Sequence, residues 1–227
     1  MMMNACKTFS VTALLVIVSA CAGTQSSGPV VSHDGLTLLP DTKFGEVYGK
    51  TGVDLSEYTE FGVAPCNVSF RKNWLRDQNS SRLDLSHRVT QQDVDKIKDN
   101  LGDSCTQKFT EALQKDPAYN VVDAFDDGEQ VLVLRPSIIN LDISAPDVMS
   151  ASRSRSYTTS SGEMTLSLEV VDATTGEVLY RAVDRKRGMD TGRVQWTTSV
   201  SNSADANRAL NRWADILREG LDTVRGM

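Results

Sequence analysis

Apolar residues recur along this chain with two different periods, which separate predicted strands from predicted helices. In the segments 163–172 and 177–187 every second residue on one face is apolar, and Gly176 lies in the turn between them. Alternation on both sides of a short turn that contains glycine is typical of a β-hairpin. The two segments therefore predict paired antiparallel strands.

Three other segments predict strands: 61–70, 119–125 and 131–143. Pro65 and Pro136 lie inside two of them. Proline has no backbone N–H to donate to a sheet, so each proline indicates a bulge or an edge position.

Apolar spacing of three and four residues predicts two long helices. The first begins after Thr90, where Asp93 completes a variant of the capping box. The second begins at about Ser203, carries Trp213 on its apolar face and ends at Gly226. The apolar stripe of the first helix comprises Val94, Ile97, Leu101, Cys105, Phe109 and Ala112.

These elements predict an α+β fold. We expect a two-layer sandwich in which a mixed, mainly antiparallel sheet of about five strands is covered on one face by two amphipathic helices. Residues 36–60 have scattered apolar positions and are expected to be irregular, and serine-rich residues 149–162 predict a mobile loop. The apolar positions are all needed to cover the sheet, which argues against a small-ligand carrier with a sizeable cavity.

The first twenty residues predict an export signal. Lys7 precedes an apolar run from Phe9 to Val18, which is too short to cross a bilayer. Small residues follow, and then Cys21. The segment 18–21 (VSAC) resembles the lipobox of bacterial lipoproteins, which implies diacylglycerol attachment and acylation at Cys21, with removal of 1–20. The alternative is a plain secreted protein cleaved near Ala20.

Residues 21–35 have the composition of a flexible tether, and 36–227 are expected to form a single periplasmic domain. Ala22 stands where the usual inner-membrane retention signal has an aspartate. We therefore expect a lipid-anchored protein of a Gram-negative outer membrane that faces the periplasm.

Of the four cysteines, only Cys66 and Cys105 remain in this domain. Both fall on predicted core-facing positions, and the expected compartment is oxidising. We predict a disulfide; the alternative is a pair of buried free thiols.

The chain has 227 residues and a formal net charge of −6, which disfavours a nucleic-acid partner. It nevertheless has a local basic cluster, which is a candidate contact surface for phosphate groups or a partner. The alternative is a solvated strand edge that charge protects from aggregation. The cluster comprises Arg153, Arg155, Arg185, Lys186 and Arg187.

No motif predicts catalysis, a cofactor or a metal site. The segment 45–51 (GEVYGKT) lacks one residue of the phosphate-binding loop, so a nucleotide is not expected. His33 and His87 lack ligand or triad context. Trp74 and Trp196 are more consistent with burial than with exposed contact sites.

Several stretches together resemble the bacterial lipoproteins grouped as domain of unknown function 3313, over residue 34 to the end. The resemblance implies an exported, usually lipidated envelope protein, and it implies no activity. The stretches are 68–74 (VSFRKNW), 133–136 (VLRP), 162–185 (GEMTLSLEVVDATTGEVLYRAVDR) and 211–217 (NRWADIL).

The leading hypothesis is therefore a non-enzymatic lipoprotein whose domain binds or scaffolds another envelope protein. The alternative is a carboxylate-based hydrolase of an envelope glycan, which requires two acidic side chains about 5 to 9.5 Å apart in a pocket.

Overall fold

The computed structural model describes residues 30–80, 88–125, 130–143, 157–158, 162–187, 195–196 and 199–226. These residues form one layer of helices and one layer of β-sheet. The helices are α1 (Trp74–Ser80), α2 (Gln91–Leu113) and α3 (Ser199–Arg225), with a 3₁₀ turn at Leu55–Glu57. The strands are β1 (Thr37–Leu39), β2 (Glu46–Gly49), β3 (Glu60–Val63), β4 (Asn67–Phe70), β5 (Asn120–Val121), β6 (Val131–Asp142), β7 (Tyr157–Thr158), β8 (Glu163–Asp172), β9 (Val178–Arg187) and β10 (Gln195–Trp196).

Eight of the strands form one mixed sheet in the order β1-β2-β9-β8-β6-β3-β5, with β4 also paired to β6. The strands β1, β2, β9, β8 and β6 pair antiparallel in that order, whereas β3 and β4 run parallel to β6, and β5 runs parallel to β3. β7 and β10 form a separate antiparallel pair. The predicted hairpin is confirmed, and its turn contains Gly176 at φ 70°.

The expected α+β class and mixed sheet are confirmed, but the expected number of about five strands is wrong. Residues 36–60, expected to be irregular, supply β1, β2 and the start of β3. β1 and β2 have three and four residues. Three or four residues are too few to show a clear alternation of apolar and polar side chains. Such strands are stabilised mainly by pairing with a neighbouring strand.

The predicted strand 61–70 is divided into β3 and β4, with Pro65 in the interruption. Pro136 lies opposite this interruption, between Leu134, which pairs with Val63, and Ser137, which pairs with Asn67. Pro136 is therefore tolerated in a central strand, because no backbone N–H is needed there for pairing with β3 or β4.

The predicted capping box of α2 is confirmed: the Thr90 side chain accepts from Asp93 N, and the Asp93 side chain accepts from Thr90 N. α3 begins at Ser199, four residues before the expected start. The sequence did not predict α1, in which Trp74 is only 2% exposed and donates from Nε1 to Ile143 O at 2.8 Å. Burial of Trp74 was the favoured interpretation.

The main core lies between one face of the sheet and the helices α2 and α3. Phe109 and Trp213 from the helices are fully buried against the sheet, as expected for Trp213. The core-facing side chains of the central strands include Leu132, Leu134, Ile138, Met164, Leu166, Leu168 and Val170.

On the opposite face of the sheet, Val131, Val133 and Ala173 form a small apolar cluster at one end. Elsewhere on that face Arg135 is exposed and Ser167 is half-buried. The expected arrangement of two amphipathic helices on one face is thus what the described residues adopt.

Cys66 and Cys105 are joined in a disulfide that links the segment entering β4 to the middle of α2, with Cα atoms 6.0 Å apart. Two neighbouring contacts hold the same junction. Thr106 Oγ1 accepts a hydrogen bond from Cys66 N at 2.9 Å, and a Cβ atom at Gly102 would lie 2.8 Å from Cys66 O. The helix therefore lies unusually close to the backbone of the sheet layer.

Candidate functional site

A groove of about 230 Å³ opens between α2, α3 and the ends of the three central strands. Its floor is mainly apolar and belongs to the main core. The floor side chains are Ile97 and Leu101 on α2, Leu141 and Ile143 at the end of β6, Met164 on β8 and Ala206 on α3. The sequence argued against a sizeable cavity, and this groove is small, but its presence was not predicted.

The groove exists because small residues occupy one end of the contact between α2 and α3. Ala206 and Ala209 line it from α3, and Ser104 lines it from α2. Farther along, Leu210 and Trp213 of α3 and Phe109 of α2 are fully buried and fill the space above the sheet. A change from large to small side chains along the helix pair thus opens the layers at one end.

The rim of the groove is polar. Asn100 and Ser104 of α2 face it from one side, and Ser203, Asp205 and Asn207 of α3 face it from the other. The strand ends contribute three charged residues, Glu163, Lys186 and Arg187.

Lys186 is held at the groove by a buried carboxylate. Its Nζ lies 2.6 Å from Oδ2 of Asp184, which is 7% exposed and occupies a core-facing position of β9. Asp184 also accepts a hydrogen bond from Trp213 Nε1 at 2.7 Å and one from Gly45 N at 3.2 Å. These donors compensate the buried charge and fix the direction in which Lys186 extends.

Glu163 is shared by two arginines. It accepts from Arg185 Nη2 at 2.5 Å and from Arg187 Nε at 3.0 Å. Burial raises the pKa of Glu163, but hydrogen bonds from the two guanidinium groups outweigh it, and the net shift is downward. The carboxyl is therefore ionised at neutral pH.

This pairing bears on the glycan hydrolase hypothesis. The two rim carboxylates are Glu163 and Asp205, and Asp205 pairs with Arg208 on the same helix. A general acid needs a raised pKa, whereas the pKa of Glu163 is lowered. The arrangement of Glu163 is typical of an ion pair that holds strand ends together.

The sequence-predicted contact surface is brought together in part. Arg185, Lys186 and Arg187 lie at the end of β9 beside the groove, each with a carboxylate partner. Arg153 and Arg155 lie outside the described residues, as do the lipidation candidate Cys21 and most of the serine-rich loop 149–162. The Cys66–Cys105 disulfide lies under α2 and is structural in position.

A second charged cluster lies on the open face of the sheet. Arg181 of β9 bonds to Asp34 at 2.6 Å and to Glu169 of β8 at 2.9 Å. The hydrogen bond from Arg181 holds the pKa of Asp34 well below its usual range. Residues 32–34 belong to the predicted tether, so its last residues contact the sheet.

Sequence reasoning missed Asp184 and the small residues that open the groove. Asp184 interrupts the apolar face of β9 with a carboxylate, and this break in the pattern was a usable signal. Ala206 and Ala209 carried no such signal, because alanine on a helix stripe is also common in tight packing.

Among the described residues, no cluster of three or more His, Cys, Asp or Glu residues could hold a metal ion. Within the same residues, no helix combines the length and apolar character that a membrane span needs.

A family model for proteins of unknown function, DUF3313, matches residues 25–217. The chain belongs to this family. The match spans most of the sequence, including the residues of the groove and both disulfide cysteines. Membership assigns no activity. A search of curated protein sequences found no match.

Solved structures similar to this chain include the PelC dodecamer from Paraburkholderia phytofirmans, at 12% identity and a TM-score of 0.36, covering 76% of this chain and 96% of that one. Another is a neuraminyllactose-binding hemagglutinin homologue from Helicobacter pylori, at 11% identity and a TM-score of 0.42, covering 75% and 89%. Likenesses at such TM-scores carry no conclusion about function.

Proposed function

We propose that this DUF3313 member is a non-enzymatic binding module, with the groove between α2, α3 and the sheet as its binding site. The observation that carries the proposal is the combination of an apolar floor with a polar rim. Convergent polar groups around a concave apolar surface are typical of ligand-binding sites. The disulfide and the buried Asp184 support a rigid site, because both fix elements that border the groove.

The proposal includes a lipid anchor at Cys21 on the periplasmic side of an outer membrane. Its support is the lipobox-like segment 18–21 and the small, polar residues that follow it. Acyl chains contribute about 0.8 kcal/mol for each methylene group buried in a bilayer, so several chains hold a protein there stably. Anchoring raises the effective concentration of the module toward envelope partners, so a weak site can suffice.

Site-specific photo-crosslinking in intact cells tests the binding role. A benzophenone amino acid replaces Asn100 on the groove rim or, as the matched control, Gln107, which is exposed elsewhere on α2. We expect a defined envelope adduct from position 100 that is absent from position 107 and is lost when Ala206→Leu fills the groove. Equal labelling from both positions would exclude the groove as the binding site.

Metabolic labelling with palmitate tests the anchor separately. We expect the wild-type protein to incorporate label and to fractionate with outer membranes, and the Cys21→Ala variant to lose both properties. Unlabelled wild-type protein in the soluble periplasmic fraction would contradict the anchor and leave the groove experiment unaffected.

A further inference from the structure

The charges at the groove do not balance. At the end of the β8–β9 hairpin, three cations, Arg185, Lys186 and Arg187, are paired with two carboxylates, Glu163 and Asp184. Glu163 is shared by both arginines. Among the described residues, this end of the hairpin therefore has one more cation than carboxylates, and Asp205 on the opposite rim of the groove is paired with Arg208.

Lys186 lines the groove and is the cation best placed to bind an anion there, because Arg187 already shares Glu163 with Arg185. Among the described residues only Asp184 binds its ammonium group, and an ammonium has three N–H donors. Asp184 is itself satisfied by Trp213 and Gly45. Lys186 can therefore donate a hydrogen bond to a second anion in the groove, and the buried carboxylate of Asp184 keeps its other donors.

The shape of the groove restricts the rest of the ligand. Its volume of about 230 Å³ is below the range of roughly 300–1,000 Å³ that is common for drug-sized ligands. The side chains of the floor, which include Ile97 and Ala206, offer apolar contacts and few polar groups. A slender apolar chain fits these features better than a sugar or a nucleotide, which would leave many polar groups unpaired.

We propose that the groove binds a single-chain anionic amphiphile, with its acyl chain on the apolar floor and its carboxylate or phosphate head at Lys186. This inference rests on the proposed binding function and names the class of ligand. In this complex the head group replaces part of the water around the ammonium group of Lys186. The acyl chain covers the exposed parts of Ile97, Leu101 and Ile143.

Isothermal titration calorimetry with the Cys21→Ala chain tests the inference, because no acyl group of the protein then competes. The probes are dodecanoate, dodecyl phosphate and the uncharged dodecyl maltoside, each below its micellar concentration. We expect one-to-one binding of one or both anionic probes and binding of dodecyl maltoside weaker by about tenfold or more. The two anionic probes distinguish a carboxylate from a phosphate head.

Four variants separate chain binding from head-group binding. Ser104→Leu on α2 and Ala206→Leu on α3 fill the groove from opposite sides, and each should weaken dodecanoate binding by about tenfold or more. Lys186→Gln should weaken it roughly fivefold, the scale of one partly exposed ion pair. Lys50→Gln, at a lysine paired with Glu177 near the far end of the hairpin, should have no effect.

Circular dichroism identifies any variant that fails to fold, and either groove-filling variant suffices alone. Equal binding of dodecanoate and dodecyl maltoside, unchanged binding in a folded groove-filling variant, or no binding of any probe would overturn the inference. If the rim crosslink at position 100 persists while the anionic probes fail to bind, the binding function stands and the amphiphile is excluded.

Discussion

At the scale of single residues, Gly102 determines how closely α2 lies on the layer below. A Cβ atom at this position would lie 2.8 Å from the backbone oxygen of Cys66, which cannot rotate away. Gly220, in the last two turns of α3, has open space around its Cβ position. The two helical glycines therefore have opposite roles.

We predict that Gly102→Ala lowers the free energy of unfolding by about 1–3 kcal/mol, because the backbone shift outweighs the gain in helix propensity. Gly220→Ala, the matched control, should raise it by about 0.5–1 kcal/mol. Urea denaturation of both variants checks the pair. A stabilising Gly102→Ala would show that α2 is free to move away from Cys66.

The sequence predicts the burial of a side chain well where that side chain belongs to an apolar pattern. It predicts burial poorly where a polar side chain depends on hydrogen-bond partners that are distant in the sequence. Trp213 lies on an apolar stripe and is fully buried, as expected. Asp184 is nearly as buried, although a carboxylate is costly in a core. Its burial depends on Trp213 and Lys186, and no local pattern shows that these three side chains meet.

At the scale of elements, Arg218 joins the two long helices at the end opposite the groove. It is 6% exposed, lies on α3 and donates to carbonyl oxygens of the last residues of α2 and of the segment that follows that helix. It also bonds to Asp222 at 2.8 Å and lies 4.4 Å from the ring centre of Tyr119. The accepting carbonyls belong to Ala112, Leu113, Lys115 and Pro117.

We predict that Arg218→Ala lowers the free energy of unfolding by about 2–4 kcal/mol, because it removes a buried donor that several carbonyl oxygens share and leaves Asp222 with the hydrogen bond from Tyr119 OH. Arg218→Lys should recover less than half of this loss, since an ammonium cannot reach the same set of acceptors in a plane. Thermal and urea unfolding measure both. Exposed Arg212→Ala on the same helix is the control, and an equally large loss there would contradict the assigned role.

The elements that sequence predicted correctly are those whose signal is local. The capping box of α2 and the alternation of the β8–β9 hairpin need no distant partner to be recognised. β1, β2 and β4 have three or four residues each and are defined by the strands beside them. The groove was missed for a related reason, because it is a property of two helices together, whose small residues coincide only in the fold.

At the scale of the whole molecule, the disulfide is the covalent link between the two layers. It closes a loop with a sequence separation of 39 residues, which includes α1, β4 and the first half of α2. Loop closure of this length restricts the unfolded chain and contributes about 3–4 kcal/mol in the entropic account. The main core has many other buried side chains from both layers, including Phe109, Trp213 and Leu134.

We therefore predict that the Cys66→Ala, Cys105→Ala double variant folds but is less stable by about 3–4 kcal/mol. Urea denaturation of the oxidised wild type, the reduced wild type and the double variant measures the difference. Reductant should shift the wild type alone. A double variant as stable as the oxidised protein would show that the link adds little to the packing of α2.

The acid response of the molecule follows from carboxylates distributed over both layers. Hydrogen bonds to cations or hydroxyl groups lower the pKa of several of them, and a lowered pKa favours the folded state above the ordinary pKa of about 4. Burial raises the pKa of Asp172, but the hydrogen bonds from Tyr58, Thr174 and Thr175 together lower it further than burial raises it. The carboxylates with lowered pKa values include Asp34, Asp77, Asp93, Glu111, Glu163 and Asp172.

Because the unfolded chain binds more protons than the folded chain below about pH 5, we predict that the urea midpoint falls steadily from pH 5 toward pH 3. Arg181→Gln removes the main cause of the lowered pKa of Asp34, so the fall should be less steep in that variant. Exposed Arg212→Gln on α3 should follow the wild type. A midpoint independent of pH over this range would mean that these ion pairs persist in the unfolded chain and give the fold no net stability.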